Sequence, residues 1–157
     1  MDMTAEIGLH LSGLEQLRTL LAAGKRAGIG RALDFEAVAF EPGFAAFEGV
    51  PGLHAYNPIG MVHGGYAATL LDSACGCAVQ TRLEPGWRYT TLEIKIAYHR
   101  AVTAETGKVR AEGRVLTMGR RAAFSEATLK DGEGRLLASA TSSLLVMAPA
   151  PNQASAT

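Results

Sequence analysis

Apolar residues at Leu11, Leu14, Leu17, Leu20 and Leu21 recur with a helical period, which predicts an amphipathic helix over Leu11 to Ala23. Ser12 is placed to cap its start and Gly24 to stop it. From Phe35 to Phe47 apolar positions alternate loosely around Pro42-Gly43, so one or two strands joined by a turn are expected. Pro51 to Pro58 is rich in turn formers and reads as an irregular connection. The segment Gly65 to Leu83 then runs without proline to Glu84-Pro85-Gly86, which predicts a long helix. Ala67, Ala68, Ala74, Cys75, Gly76 and Ala78 leave it little bulk on any side, as suits a helix wrapped by a sheet.

Beyond Gly86 the period changes to two. Leu92, Ile94, Ile96 and Tyr98 alternate with Glu93, Lys95, Ala97 and His99, and Val109, Ala111, Gly113 and Val115 with Lys108, Arg110, Glu112 and Arg114. Arg121 to Lys130 leads into the turn Asp131-Gly132-Glu133-Gly134, and Arg135 to Met147 returns antiparallel. The fold class is therefore α+β: a long apolar helix followed by four consecutive antiparallel strands and preceded by one or two more. An exposed strand edge would favour pairing of sheets across a dimer. Within one domain the chain divides into a lead-in helix and connector (1–34), the main body (35–147) and a flexible tail (148–157).

Composition narrows the function. The 157 residues are 48% apolar and 19% charged with zero net charge, which excludes a disordered chain and gives no general attraction to nucleic acid. No stretch is long enough to span a membrane, and Met1 to Glu6 lacks the cationic, apolar start of a secretory signal, so a cytoplasmic protein is expected. Cys75 and Cys77 point about 200° apart on a helix and read as small buried apolar residues. His10, His54, His63 and His99 show no metal-ligand spacing; no metal and no cofactor are implied.

Two features carry candidate chemistry. Gly64 and Gly65 open the long helix where a capping side chain is usual; the arrangement suits either a tight loop or a ligand oxygen meeting free backbone N–H groups. Asp72 lies among Leu70, Leu71, Ala74 and Cys75, so its carboxylate is paired, exposed at a crevice or kept for function. Eight residues separate Gly64 from Asp72, or ~12 Å along one helix. An oxyanion donor and a base must both lie ~3 Å from one reacting group, so these two cannot share a site within one protomer. Two such helices antiparallel across a two-fold axis would let them share one.

The pattern Asn57-x-x-Gly60-x-x-His63-Gly64-Gly65, followed by Asp72 and by Thr91-Leu92-Glu93-Ile94, closely resembles the hotdog-fold acyl-CoA thioesterases of the phenylacetate-pathway (PaaI-like) type, within the 4-hydroxybenzoyl-CoA thioesterase superfamily. The resemblance runs from about Leu11 to Met147 and implies an antiparallel sheet wrapped around a long central helix. It implies a homodimer, often a homotetramer built as a dimer of dimers, that hydrolyses a small aromatic or medium-chain acyl-CoA to free acid and CoA. Gly64 N–H would polarise the thioester carbonyl, Asn57 would hold the carbonyl or the water, and His63 would fix the loop. Asp72 of the partner chain would act as nucleophile or general base, with Thr91 orienting water or carboxylate. Gly65 and the junction Gly119-Arg120-Arg121 are candidates for substrate and CoA binding, because arginine forks suit phosphate; His99 and Arg100 are a weaker addition. Residues Glu36 to Phe47, Met61 and Tyr66 are expected to shape the acyl pocket. A non-catalytic acyl-CoA or acyl-carrier-protein binding module on the same fold is the alternative. A hydratase would want an Asp/His pair that the sequence does not place correctly.

Overall fold

A computed structural model describes residues 2–150. An N-terminal arm carries α1 (Met3–Ile7), α2 (Gly13–Ala22) and α3 (Gly28–Ala32). Next come β1 (Phe35–Glu41), β2 (Phe44–Gly49), α4 (Gly64–Gln80), β3 (Arg88–Tyr98), β4 (Val109–Met118), β5 (Ala122–Asp131) and β6 (Leu136–Met147). Single 3-10 turns occur at Leu53–Ala55 and Ala104–Thr106.

The periodicities translate into elements with few changes. At α2 the Glu15 N–H donates to Ser12 Oγ and the Ser12 N–H donates back to the Glu15 carboxylate, so the expected cap is a reciprocal capping box. Two short helices, α1 and α3, flank it without an apolar period to announce them. Helix α4 stops at Gln80, three residues before the expected end. Thr81 Oγ1 donates to Ala78 O at 2.6 Å and accepts from Gly43 N–H at 2.7 Å, tying the helix end to the β1–β2 turn. Of the expected tail, 148–150 have no regular structure and 151–157 lie outside the described residues.

All strands pair antiparallel in one sheet ordered β1-β2-β4-β5-β6-β3. The four strands after α4 are consecutive in the chain but not in the sheet: β3 lies beside β6, so β4, β5 and β6 alone form a meander. Helix α4 lies on the sheet, with Leu70, Leu71, Ala74, Cys75, Ala78 and Val79 fully buried. Small residues let it come close. A Cβ at Gly113 of β4 would collide with the Ala74 carbonyl of α4. The expected wrapped helix and α+β architecture are those of the hotdog fold.

The two sheet edges differ. Along β1 the arm supplies donors: Arg18 to Phe40 O at 3.2 and 3.1 Å, and Arg26 to Phe35 O at 3.2 and 3.0 Å. Strand β3, at the other edge, keeps Leu92 63% and Tyr98 56% exposed.

Candidate active site

The loop before α4 is built from its own side chains. Asn57 Oδ1 accepts from Ile59 N–H at 3.1 Å and Met61 N–H at 3.2 Å, and Gly60 between them has φ +87°. His63 N–H donates to Ala55 O at 2.7 Å, which sets the entry angle of the helix. His63 Nδ1 accepts from Gly65 N–H at 2.8 Å and so caps α4; the acceptor role places the ring proton on Nε2. Gly65 N–H is thereby occupied, while Gly64 N–H donates to no partner among the described residues.

Gly64 borders a cleft of about 300 Å³ with Asn57, His63, Tyr98, His99 and Arg100. Tyr98 Oη donates to Gly64 O at 3.0 Å, and its ring lies against the glycine, where a Cβ would come within 3.0 Å of it. A Cβ at Gly65 would come within 2.9 Å of His63 Nδ1. Both glycines thus have local steric reasons.

A second constellation lies farther along α4. Asp72 is half-buried, and Thr91 Oγ1 of β3 donates to its Oδ1 at 3.0 Å. The pair borders a separate, largely apolar cleft of about 360 Å³, between the arm and β1 on one side and α4 and β3 on the other. Phe35, Phe40 and Phe47 stack edge to face along it, with ring centroids 6.1 and 6.0 Å apart. Burial pushes the Cys75 thiol up to about 11 and the Cys77 thiol up to about 12. Both stay protonated near neutral pH, which leaves them poor nucleophiles.

Within one chain, then, Gly64 and Asp72 face different clefts. Glu36, Ala37, Phe40 and Phe47 line the apolar cleft, and Met61 and Tyr66 line the Gly64 cleft. Arg120 and Arg121 are exposed in the β4–β5 turn, which Gly119 N–H closes by donating to Ala122 O at 2.8 Å. They border an open depression with Trp87 and Met147, apart from both clefts, while Arg100 stands in the Gly64 cleft. Sequence reasoning missed Tyr98, Tyr89 and the arm leucines, whose only signal was an apolar strand or helix face.

The model of the thioesterase superfamily matches residues 59–138, half of the chain. This chain belongs to the thioesterase superfamily. The matched segment includes Gly64, Asp72, Thr91 and Arg121 but leaves out the arm and Asn57. Among curated thioesterases, the proofreading thioesterase EntH of Klebsiella pneumoniae is 34% identical over 80 residues, 51% of this chain and 57% of that protein's length. The PaaI protein from the phenylacetic acid degradation operon of E. coli has the same fold: TM-score 0.76, 17% identity, covering 87% of this chain and 95% of that one. The smu.793 protein of Streptococcus mutans, solved bound to acetyl CoA, superposes with a TM-score of 0.66 at 26% identity over 73% of this chain and 90% of its own.

Proposed function

We propose that the protein hydrolyses acyl-CoA thioesters at a site completed across a homodimer. Family membership supports the reaction class, and the acetyl CoA held by the S. mutans relative supports the substrate class. The observation that carries the mechanism is the separation of an undonated Gly64 N–H from a Thr91-bound Asp72 carboxylate into two clefts of one chain. Neither cleft holds both the Gly64 N–H and a carboxylate.

In the dimer, Asp72 of one protomer faces the Gly64 cleft of the other. The Gly64 N–H, at the positive end of α4, stabilises the negative charge that develops on the thioester oxygen. Asp72 either attacks the carbonyl carbon or removes a proton from the attacking water, and Thr91 holds the carboxylate in place. The C–S bond breaks and the thiolate leaves, to be protonated as CoA; on the nucleophilic route, water then cleaves the acyl-aspartyl anhydride to free acid and restores the Asp72 carboxylate. Asn57 uses Oδ1 to shape the loop, which leaves its amide N–H₂ as the group available to the carbonyl or water. Among the candidates for the CoA phosphates, Arg100 shares the cleft with Gly64, whereas Arg120 and Arg121 border a separate depression.

A mixed dimer tests this. Asp72→Ala removes the carboxylate and Gly64→Val sets a side chain against Tyr98 where the thioester must approach the N–H, so each should lower kcat by about 10²–10³-fold alone, the scale of a lost oxyanion contact. Coexpressed with different tags and purified as a heterodimer, the two lesions fall in one site and leave the other whole. Activity should then return to about half that of the wild type, one site of two being intact. A verified heterodimer as inactive as its parents would refute the shared site.

A further inference from the structure

We infer that the N-terminal arm is the acyl receptor of the site: residues 13–32 roof the cleft beside Asp72, which takes an unbranched aliphatic acyl group of medium length. The inference rests on the hydrolase reading and goes beyond it by choosing between aromatic and aliphatic substrates.

Size argues first. The cleft holds about 360 Å³, at the lower end of the range for small-molecule sites. A cavity of about 150 Å³ lined by Leu, Ile and Phe already accommodates a benzene ring, so a single aryl group would leave much of this one unfilled. Chemistry argues next. Leu20 and Leu21 of α2, Ile29 of α3 and Phe40 of β1 provide apolar wall. Polar lining falls into two sets, Lys25, Arg26 and Glu36 on the arm and β1, and Asp72, Ser73, Tyr89 and Thr91 on α4 and β3. An acyl chain whose carbonyl sits at the Asp72–Thr91 set would run along the leucines.

Two further observations support an occupant. Ile29 is 53% exposed although it lines an apolar cleft, and Leu20 and Leu21 are only half-buried on a helix whose Leu17 is 5% exposed. A chain lying there would cover them. The arm is also fixed to the body, through Gly13 N–H donating to Leu83 O at 3.0 Å and through the Arg18 and Arg26 bonds to β1, so the cleft is preformed. The arm itself lies outside the segment matched by the family model, 59–138.

The test compares kcat/KM for acetyl-, butyryl-, hexanoyl-, octanoyl- and benzoyl-CoA. Wild type should gain up to about fourfold per buried methylene between butyryl and octanoyl, and should prefer octanoyl to benzoyl. Leu21→Trp, which fills the cleft, should lower the octanoyl-to-butyryl ratio at least tenfold. Ile29→Asp, at a half-exposed position where folding is secure, should lower the same ratio. A flat wild-type profile, a benzoyl preference, or unchanged ratios in both folded variants would overturn the inference. Calorimetry with an uncleavable octanoyl-CoA thioether separates the two readings. Binding that both variants weaken, without turnover of any thioester, upholds the cleft and refutes the hydrolase. Turnover with a flat profile does the reverse, and neither binding nor turnover overturns both.

Discussion

Thr91→Val is the sharpest single perturbation of the proposed site, because valine keeps the shape of threonine and removes one donor. That donor makes one bond, 3.0 Å long, to Oδ1 of Asp72 in a half-buried setting. A hydrogen bond to a charged group contributes about 1.5–3 kcal/mol. If the bond holds the carboxylate on line in the transition state, its loss lowers kcat by about 10- to 150-fold at 1.36 kcal/mol per decade. The acyl chain lies along the arm leucines and valine keeps the shape of the Thr91 wall, so KM should stay within about twofold, the signature of an interaction made in the transition state alone. Thr91→Ser keeps the hydroxyl and should retain activity within about threefold. Water in the cleft can solvate the freed oxygen, so the unfolding midpoint should fall by only a few degrees, about 1 kcal/mol or less. The assay is steady-state release of free thiol from octanoyl-CoA, run beside a thermal melt. A folded Thr91→Val enzyme with wild-type kcat, or a change confined to KM, would refute the positioning role.

Two stability predictions follow from the frame that holds the site. Gly113→Ala should cost at least about 2 kcal/mol and lower the unfolding midpoint by about 4–8 °C, because its Cβ meets the Ala74 carbonyl and neither backbone has room to move; Gly132→Ala, in open space, is the control and should change nothing. Glu48 is held below the usual carboxylate range chiefly by the Arg110 guanidinium at 2.8 Å, with Lys108 adding to it. Its folded-state value being the lower one, this contribution is fully present above about pH 4.5 and is lost as pH falls through the folded value. Screening limits it to about 1 kcal/mol. Midpoints of Glu48→Gln and wild type should therefore differ most at neutral pH and converge as the pH falls below about 4.5, and a constant gap would contradict the assignment.

How far the fold could be read from the residues depends on whether the signal is local. The alternation from Leu92 to Tyr98 and from Val109 to Val115 announced β3 and β4, and the proline-free run from Gly65 announced α4. Which strands adjoin is a non-local choice. Strand β3 joins β6 rather than β4, and the connection after it crosses to meet the loop before α4, where Val102 O accepts from Val62 N–H at 2.9 Å. No periodicity encodes that crossing. The candidate site shows the same division. Asp72 stood out as a carboxylate in an apolar run, but its bond to Thr91 spans nineteen positions and was reachable only through the family resemblance. The apolar face of α2 predicted burial and could not distinguish the packed Leu17 from Leu20 and Leu21, which border a cleft. The Arg120-Arg121 doublet drew attention because its charges are adjacent in sequence. Arg100, with His99, ranked below that doublet, yet it shares the Gly64 cleft.

The edges of the sheet give the proposed dimer its geometry. Arm guanidinium groups already occupy carbonyls of β1, so β3 is the edge left to pair with a second copy. Strand β3 also carries one contact to each half-site, Thr91 to Asp72 near its start and Tyr98 to Gly64 at its end. Seven positions along a strand span about 23 Å, too far for both halves to serve one thioester within a chain. In antiparallel β3–β3 pairing about a two-fold axis perpendicular to the sheet, a residue must face its own copy, since successive side chains alternate faces. Counted one for one, an axis through Ile94 sets Thr91 opposite the partner's Ala97 and an axis through Lys95 sets it opposite the partner's His99; the bulge between Thr91 and Glu93 moves each by one position. Either register brings Thr91 to within two residues of the partner's Tyr98, and with it the Asp72 carboxylate of one chain towards the Gly64 amide of the other. The distance that separates the half-sites within one chain is thus what joins them across two, and the mixed dimer of Asp72→Ala and Gly64→Val reads out that exchange directly.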